Sequence, residues 1–377
     1  MDSMELKVGI TGQSGFMGSH LYNFLGIKTD CVTRVDFERN FFEDITKLKT
    51  FVQQCDVIVH IAAMNRHKDQ QVIYDTNIGL VNKLIQACNS LQVTPKIIFA
   101  SSTQEERDNL YGKSKREGRL LLQEWAKTSG GQVISLLIPN VFGPFGKPNY
   151  NSFIATFCHK LMHNEEPTII NDSLVDLIYV NELSEEFYKH ITAPDKESLT
   201  QAVQHTSCKK VSEILELLKE YKNLYFKNGI VPAVPLNSFE LNLFNTFCSF
   251  IPKDYFPRKF IKHEDNRGAF VEIMRSGVSG QSSFSTTLPG ITRGNHYHTR
   301  KIERFAVISG KATIRLRKIN TEEVFEFILD GSVPAYVDMP IWYTHNITNI
   351  GDTNLITLFW INEPYDPEDA DTYFVEV

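Results

Sequence analysis

Residues 6–18 read Leu6-Lys7-Val8-Gly9-Ile10-Thr11-Gly12-Gln13-Ser14-Gly15-Phe16-Met17-Gly18. The apolar run Leu6–Ile10 predicts a short buried strand, and the glycines at 12, 15 and 18 predict a tight turn running into a helix. The first glycine permits the turn and the second lets the backbone approach a pyrophosphate. The third lets the helix pack on the sheet, with its N-terminus facing the anion. Such spacing also occurs in plain strand–helix turns. The following chain decides between the two. Val32–Val35, Asp56–Ala63, Lys96–Ala100 and Val133–Ile138 predict four more apolar strands separated by helical stretches. That alternation predicts an α/β Rossmann-type domain with a parallel sheet buried on both faces.

Asp36 ends the second strand, where a carboxylate would meet a ribose 2′-hydroxyl and favour NAD. Arg34 and Arg39 flank it and could instead hold the 2′-phosphate of NADP. Tyr111 and Lys115 are four apart and share a helix face. A nearby ammonium is expected to favour phenolate and lower the tyrosine pKa, giving a usable acid/base. Ser101 and Ser102, past the fourth strand, can hydrogen-bond a substrate oxygen. Together with His60-Ile61-Ala62-Ala63, Asn140-Val141-Phe142-Gly143-Pro144 and Asp176-Leu177-Ile178-Tyr179-Val180, these motifs resemble the extended short-chain dehydrogenase/reductase family. The resemblance implies a nicotinamide dinucleotide held by Gly12, Gly15, Gly18, Arg34, Asp36, Ala62 and Ala63, with Tyr111 and Lys115 beside it. It implies catalysis by Ser102, Tyr111 and Lys115. Two departures trim the expected rim of the site. Only eight residues separate Ser102 from Tyr111, and Leu137 stands where an arginine is frequent.

From Val211 to Phe247 the spacing of Leu, Ile, Tyr and Phe predicts helix, and the prolines of Ile251–Pro257 break it. The expected organisation is a reductase domain at 1–250, a linker at 251–258 and a second domain at 259–377. In the latter, SSFSTTLPG, RFAVISG, KATIRLRKI, EEVFEFILDG and NLITLFWI predict short strands with glycine turns, an all-β barrel or sandwich. It carries Gly290-x5-His296-x-His298-x4-Glu303-x6-Gly310 and, further on, Pro340-x4-His345-x3-Asn349. Histidines two apart on a strand share a face, and Glu303 and His345 are expected to converge from neighbouring strands. Imidazole and carboxylate ligands suit Zn²⁺, Fe²⁺, Ni²⁺ or Mn²⁺. The first pattern resembles the cupin (jelly-roll) family at every anchor, whereas in the second Trp342 stands where a glycine is usual. Asp265–Glu272 and Thr292–His296 also resemble deoxysugar 3,5-epimerases, which use such a barrel without metal. Those enzymes lack the second histidine and the glutamate, so metal binding is the expectation.

The 377 residues suffice for two domains, and 42% hydrophobic with 22% charged residues is usual for a soluble globular protein. The net charge of −6 and the absence of a basic run argue against nucleic acid. No apolar run predicts membrane insertion, and the first residues show no signal-peptide pattern. Six scattered cysteines with no C-x-x-C pair predict reduced thiols in a cytoplasmic protein.

The two halves make one chemical sequence. A proton beside a ketone is removable because the carbanion becomes an enolate, and reducing the ketone closes that route. Lys147–Ser152 running into FIATFC, then GITRGNHYH, YTHNITNIGDT and DTYFVEV, resemble the bifunctional capsular-polysaccharide epimerase-reductases over both domains. The resemblance implies a UDP-sugar substrate, a C4 reductase using NADPH (NADH if Asp36 decides), a zinc-containing C3 epimerase and a homodimer. The implied product is UDP-2-acetamido-2,6-dideoxy-L-talose. Two other readings are a dehydratase or 4-epimerase with a sugar-binding barrel, and a non-catalytic dinucleotide sensor. A dehydratase would carry an acid pair right after the serine, where Thr103-Gln104 stand; the Tyr111/Lys115 pair argues against a sensor. His298, Lys301 and Tyr343 are the candidate bases for epimerisation.

Overall fold

The computed structural model describes residues 5–194, 197–260, 262–265, 268–271, 275–276, 280–363 and 366–377. It divides into two compact units, residues 1–156 with 169–211 and residues 157–168 with 212–377.

In the first unit β1 (Leu6–Thr11), α1 (Phe16–Leu25), β2 (Val32–Val35), α2 (Ile45–Gln54), β3 (Val57–His60), α3 (Gln70–Leu91), β4 (Lys96–Ser102), α4 (Leu110–Ser129) and β5 (Val133–Ile138) alternate as expected. They are followed by β6 (Asn140–Phe142), α5 (Phe153–Met162, shared between the units), β7 (Leu174–Tyr179), α6 (Val180–Thr192), β8 (Leu199–Ala202) and β9 (Ser207–Lys210). The main sheet runs β2-β1-β3-β4-β5-β8, and every pairing in it is parallel. Along β4, Ile97 and Phe99 enter one core cluster while Ile98 and Ala100 enter the other, so both faces are covered and the strand reads as continuously apolar. The strand β3 stops at His60, shorter than predicted, although Ile61 N still donates to Thr11 O (3.2 Å) just beyond it. The strand β4 extends to Ser102, which sets both serines at the carboxyl edge of the sheet.

The chain steps from β1 to β2 on one side and then crosses to β3 on the other. Such a reversal opens a crevice at the carboxyl ends of the two middle strands, where open α/β sheets bind ligands.

In the second unit α7 (Val211–Tyr221), β10 (Ile230–Val231) and α8 (Phe239–Cys248) replace the single helical stretch expected up to Phe247. Gly229, at φ 67°, and Pro232 and Pro235 stop the helix between them. The short strands β11 (Arg258–Lys259), β12 (Lys262–Asp265), β13 (Gly268–Val271) and β14 (Arg275–Ser276) lead into the barrel. Its strands are β15 (Gln281–Thr287), β16 (Thr292–Tyr297), β17 (Glu303–Ser309), β18 (Lys311–Lys318), β19 (Val324–Asp330), β20 (Ala335–Met339), β21 (Tyr343–Asn349), β22 (Leu355–Ile361) and β23 (Tyr373–Phe374). They form two antiparallel sheets, β11-β20-β17-β22-β15 and β19-β18-β21-β16-β23. Val307, Val337, Met339 and Leu355 from the first meet Ile314, Leu316, Leu329 and Ile347 from the second in one core. Ile251–Pro257 lies inside this unit, where the Tyr255 hydroxyl donates to the carbonyls of Tyr225 (3.1 Å) and Phe226 (2.9 Å). The 3,5-epimerase-like stretch Asp265–Glu272 lies partly outside the described residues.

Two candidate active sites

The glycine turn is built as its spacing implies. Gly15 N donates to Gly12 O at 2.9 Å, closing the turn. Gly12 has φ 78°, and a Cβ there would come 2.9 Å from the backbone of Ala62. A Cβ on Gly18 would come 2.1 Å from Gly12 O, so the helix can approach only without a side chain. The helix α1 has no side-chain N-cap and no acid in its first turn, which leaves its terminal N–H groups for an anion. Ala62 and Ala63, half-buried just past β3, form the opposite lip. The Tyr22 hydroxyl donates to Asp36 Oδ1. The Arg34 guanidinium lies over the Tyr22 ring (4.2 Å) and donates to Tyr22 O (3.1 Å). Arg39 lies in a 3-10 turn and is exposed.

Tyr111 and Lys115 lie one turn apart on α4, with the ammonium 5.9 Å from the phenol ring centre. The expected lowering of the tyrosine pKa is not what the structure shows. Burial, with Tyr150 adding to it, pushes the Tyr111 phenol above its ordinary value. The Lys115 ammonium donates to Ala100 O (2.9 Å), and burial lowers it to about 8. The pair therefore holds a protonated phenol beside a readily lost cation. His60 is buried against Phe99, and burial, then Lys115, lowers it to about 3; it is a neutral core histidine bonded to Thr11 Oγ1 (2.7 Å).

Ser102 Oγ accepts from Gln104 N (3.1 Å) and caps the 3-10 turn Thr103–Glu106, so the short loop is one compact turn. Gly112 lets that turn approach α4, since a Cβ there would meet Gln104 O at 2.0 Å. Three contributors escaped the sequence reading. Glu105 is buried, accepts from Ser101 Oγ, and is gripped by Arg119 through Nε (3.0 Å) and Nη2 (2.7 Å). Asn77 is buried and braces the loop after β3, accepting from Met64 N (2.7 Å) and donating to Ser114 Oγ (3.0 Å). Tyr150 accepts from Asn65 N (3.3 Å), and Arg66 holds its loop through the carbonyls of Asn149 (3.0 Å) and Tyr150 (3.2 Å). A glutamate and an arginine fourteen residues apart carry no pattern that singles them out.

In the barrel, ligand atoms of His296, His298, Glu303 and His345 all lie within 4.8 Å of one another. Glu303 Oε2 is 3.7 Å from His296 Nε2, 3.4 Å from His298 Nε2 and 2.8 Å from His345 Nε2. Glu303 does not come from a neighbouring strand as expected. It opens β17 in one sheet and meets His345 of β21 and His296 of β16 from the facing sheet. His298 lies just past β16, and a bulge between Gly294 and His296, with Asn295 at φ 58°, re-aims the two histidines. Burial alone would raise Glu303, but the three imidazoles hold it well below the carboxylate range. Burial works against a charged His298, yet Glu303 and the Asp371 carbonyl raise it. His298 Nε2 is nonetheless buried without a hydrogen bond of good geometry. Four electron-rich groups facing one point, one of them an orphaned imidazole nitrogen, fit a divalent cation.

Trp342, at the expected glycine position, keeps a positive φ of 61°. It is fully buried, stacks on Tyr297 (5.6 Å between ring centres) and donates its amide to His298 O (2.8 Å). Asn349 ties the turn below through Thr287 O (2.9 Å) and Thr353 O (2.8 Å). Of the candidate bases, Lys301 is buried with its ammonium on Ala370 O (2.8 Å), and burial raises the Tyr343 phenol.

Residues 8–203 match the NAD dependent epimerase/dehydratase family, and residues 263–373 the polysaccharide biosynthesis C-terminal domain. The chain is 34% identical over 373 residues to UDP-2-acetamido-2,6-beta-L-arabino-hexul-4-ose reductase of Pseudomonas aeruginosa, covering 99% of each. It resembles the crystal structure of the capsular polysaccharide assembling protein CapF of Staphylococcus aureus at a TM-score of 0.62 and 35% identity, over 99% of this chain and 100% of that one. UDP-glucose 4-epimerase of Thermotoga maritima shares the fold at a TM-score of 0.54 and 20% identity, over 65% of this chain and 98% of that one.

Proposed function

Because the chain belongs to the NAD dependent epimerase/dehydratase family and is similar over its whole length to a UDP-sugar 4-ulose reductase, we propose that it is a bifunctional nucleotide-sugar epimerase-reductase of capsule synthesis. The barrel inverts C3 of a UDP-4-keto-2-acetamido-2,6-dideoxyhexose, and the first unit reduces C4 to give UDP-2-acetamido-2,6-dideoxy-L-talose. One observation carries this: the His296, His298, Glu303 and His345 cluster occurs in the same chain as the Tyr111/Lys115 helix.

A nicotinamide dinucleotide held with its pyrophosphate on the Gly12–Gly18 turn would supply the hydride. The protonated Tyr111 phenol gives the proton that turns the C4 oxygen into a hydroxyl. Lys115 then faces the phenolate left behind. Ser102 accepts from Gln104 N and so has its own hydroxyl hydrogen to offer the C4 oxygen. Asp36 would meet a ribose 2′-hydroxyl, whereas a 2′-phosphate requires Arg34 or Arg39 to turn toward it; NADPH is the expected donor and NADH the alternative. In the barrel, His296, His298, Glu303 and His345 would hold a zinc ion, whose charge would favour an enolate oxygen at C4.

The elimination reading fares worse on geometry. Glu105 is a carboxylate close behind the serine, but Arg119 and Ser101 occupy it, so it is not available as a base. Among the described residues no helix is long and apolar enough to cross a membrane. A cytoplasmic homodimer is the proposed form, checked by light scattering of the purified protein.

The test is incubation with the 4-keto sugar nucleotide in D₂O, with and without NADPH or NADH, read by NMR. The proposal expects deuterium at C3 without dinucleotide and a C4 alcohol with it; absence of both sinks it.

A further inference from the structure

We propose that Asp371 is a positioning residue of the barrel's metal centre, acting through His298 and the turn behind it without ligating the cation. The inference rests on the metal-binding reading above. Asp371 is 4% exposed and has φ 45°, a left-handed conformation that a non-glycine residue adopts at a cost. Its carboxylate grips the turn between His298 and Glu303. It accepts from Thr299 N (3.1 Å), Thr299 Oγ1 (2.6 Å), Arg300 N (2.8 Å) and Lys301 N (3.3 Å). Its main-chain oxygen faces His298 Nδ1.

The two ends of the residue thus do different work. An imidazole ligand must present an unprotonated Nε2, and a hydrogen bond from Nδ1–H to a fixed carbonyl sets both the tautomer and the ring plane. The carboxylate helps to hold that carbonyl in place by anchoring the residue to the turn. The next residues extend the arrangement: Tyr373 and Phe374 pair with Tyr297 and His296, and Val375 N donates to Asn295 O (2.9 Å). The segment from Asp371 to Val375 therefore frames His296 in β16 and His298 just past it.

The test uses full-length protein stripped of metal. Asp371→Gly keeps the positive φ and the carbonyl while removing the carboxylate. Zinc affinity is measured by competition with a chromophoric chelator, and ligand geometry by the visible absorption of the cobalt-substituted protein. Asp371→Gly is expected to weaken zinc ~10–100-fold and to alter the cobalt spectrum. Asp371→Asn, which keeps one acceptor oxygen and tolerates the same backbone, is expected to recover part of both. Should the glycine variant not fold, Asp371→Asn decides by the same two measurements. Unchanged zinc affinity and cobalt spectrum overturn the inference, even with a lower melting temperature, since that marks a purely structural role. If the unaltered protein takes up neither zinc nor cobalt, the metal reading itself fails first.

Discussion

Tyr111 and Lys115 reach their positions through one helix; His296, Glu303 and His345 reach theirs through three strands in two facing sheets. The first arrangement is local, its spacing set by four residues of one helix. The second is assembled from segments up to 49 residues apart and depends on bulge, turn and tail holding together. Their electrostatics differ in the same way. Burial lowers Lys115 to about 8 against the opposing pull of Glu105, whereas Glu303 stays ionised against burial because three imidazoles converge on it.

The largest expected effect is on the local site. Tyr111→Phe should cut C4 reduction by roughly 10²–10⁴-fold while C3 deuterium exchange continues; loss of both in a folded variant would show that the sites are not separate. Next, Glu303→Gln should weaken zinc by more than the ~10–100-fold typical of outer-shell changes, leaving dinucleotide binding intact. Metal analysis beside a dinucleotide titration checks this.

A smaller effect is expected where the two regions differ in backbone strain. Restoring the family's glycine with Trp342→Gly relieves about 1–3 kcal/mol of left-handed strain, but it empties a site whose truncation costs about 3–5 kcal/mol. Denaturant unfolding should therefore show a net loss of roughly 2 kcal/mol; a gain would mean the stacking on Tyr297 contributes nothing. The smallest effect is on pH. Lys115 is charged below about 8 and neutral above it, so kcat for reduction should fall about tenfold per unit once pH passes that value. A flat profile to pH 10 would mean the cation is not needed.

Legibility followed locality. The five parallel strands, the glycine turn and the Tyr111–Lys115 helix are each written in under a dozen consecutive residues, and periodicity exposes them. His296, His298 and Glu303 are legible as candidate ligands because their spacing in the chain is short, even though Glu303 crosses from the opposite sheet. Hidden from the sequence were contacts between distant segments: Asp371 with the 299–301 turn, Asn77 with Met64, Glu105 with Arg119. After Val211 the Leu, Ile and Phe spacing continues across Gly229 and Pro235, where backbone geometry overrides the helical pattern. The Tyr111 phenol shifts opposite to the expectation because a cation four residues away is visible in sequence and burial is not.

The Glu105–Arg119 clasp sets terms for anyone redesigning this scaffold. Introducing an acid at Gln104 would set an acid pair with Glu105, one residue later than an eliminating enzyme carries it. In the folded chain the neighbouring carboxylate is already committed as a strut beneath the serine edge. An engineer would first have to give Arg119 another counter-charge and rebuild the support for Ser101, so new chemistry here begins with carpentry behind the active site.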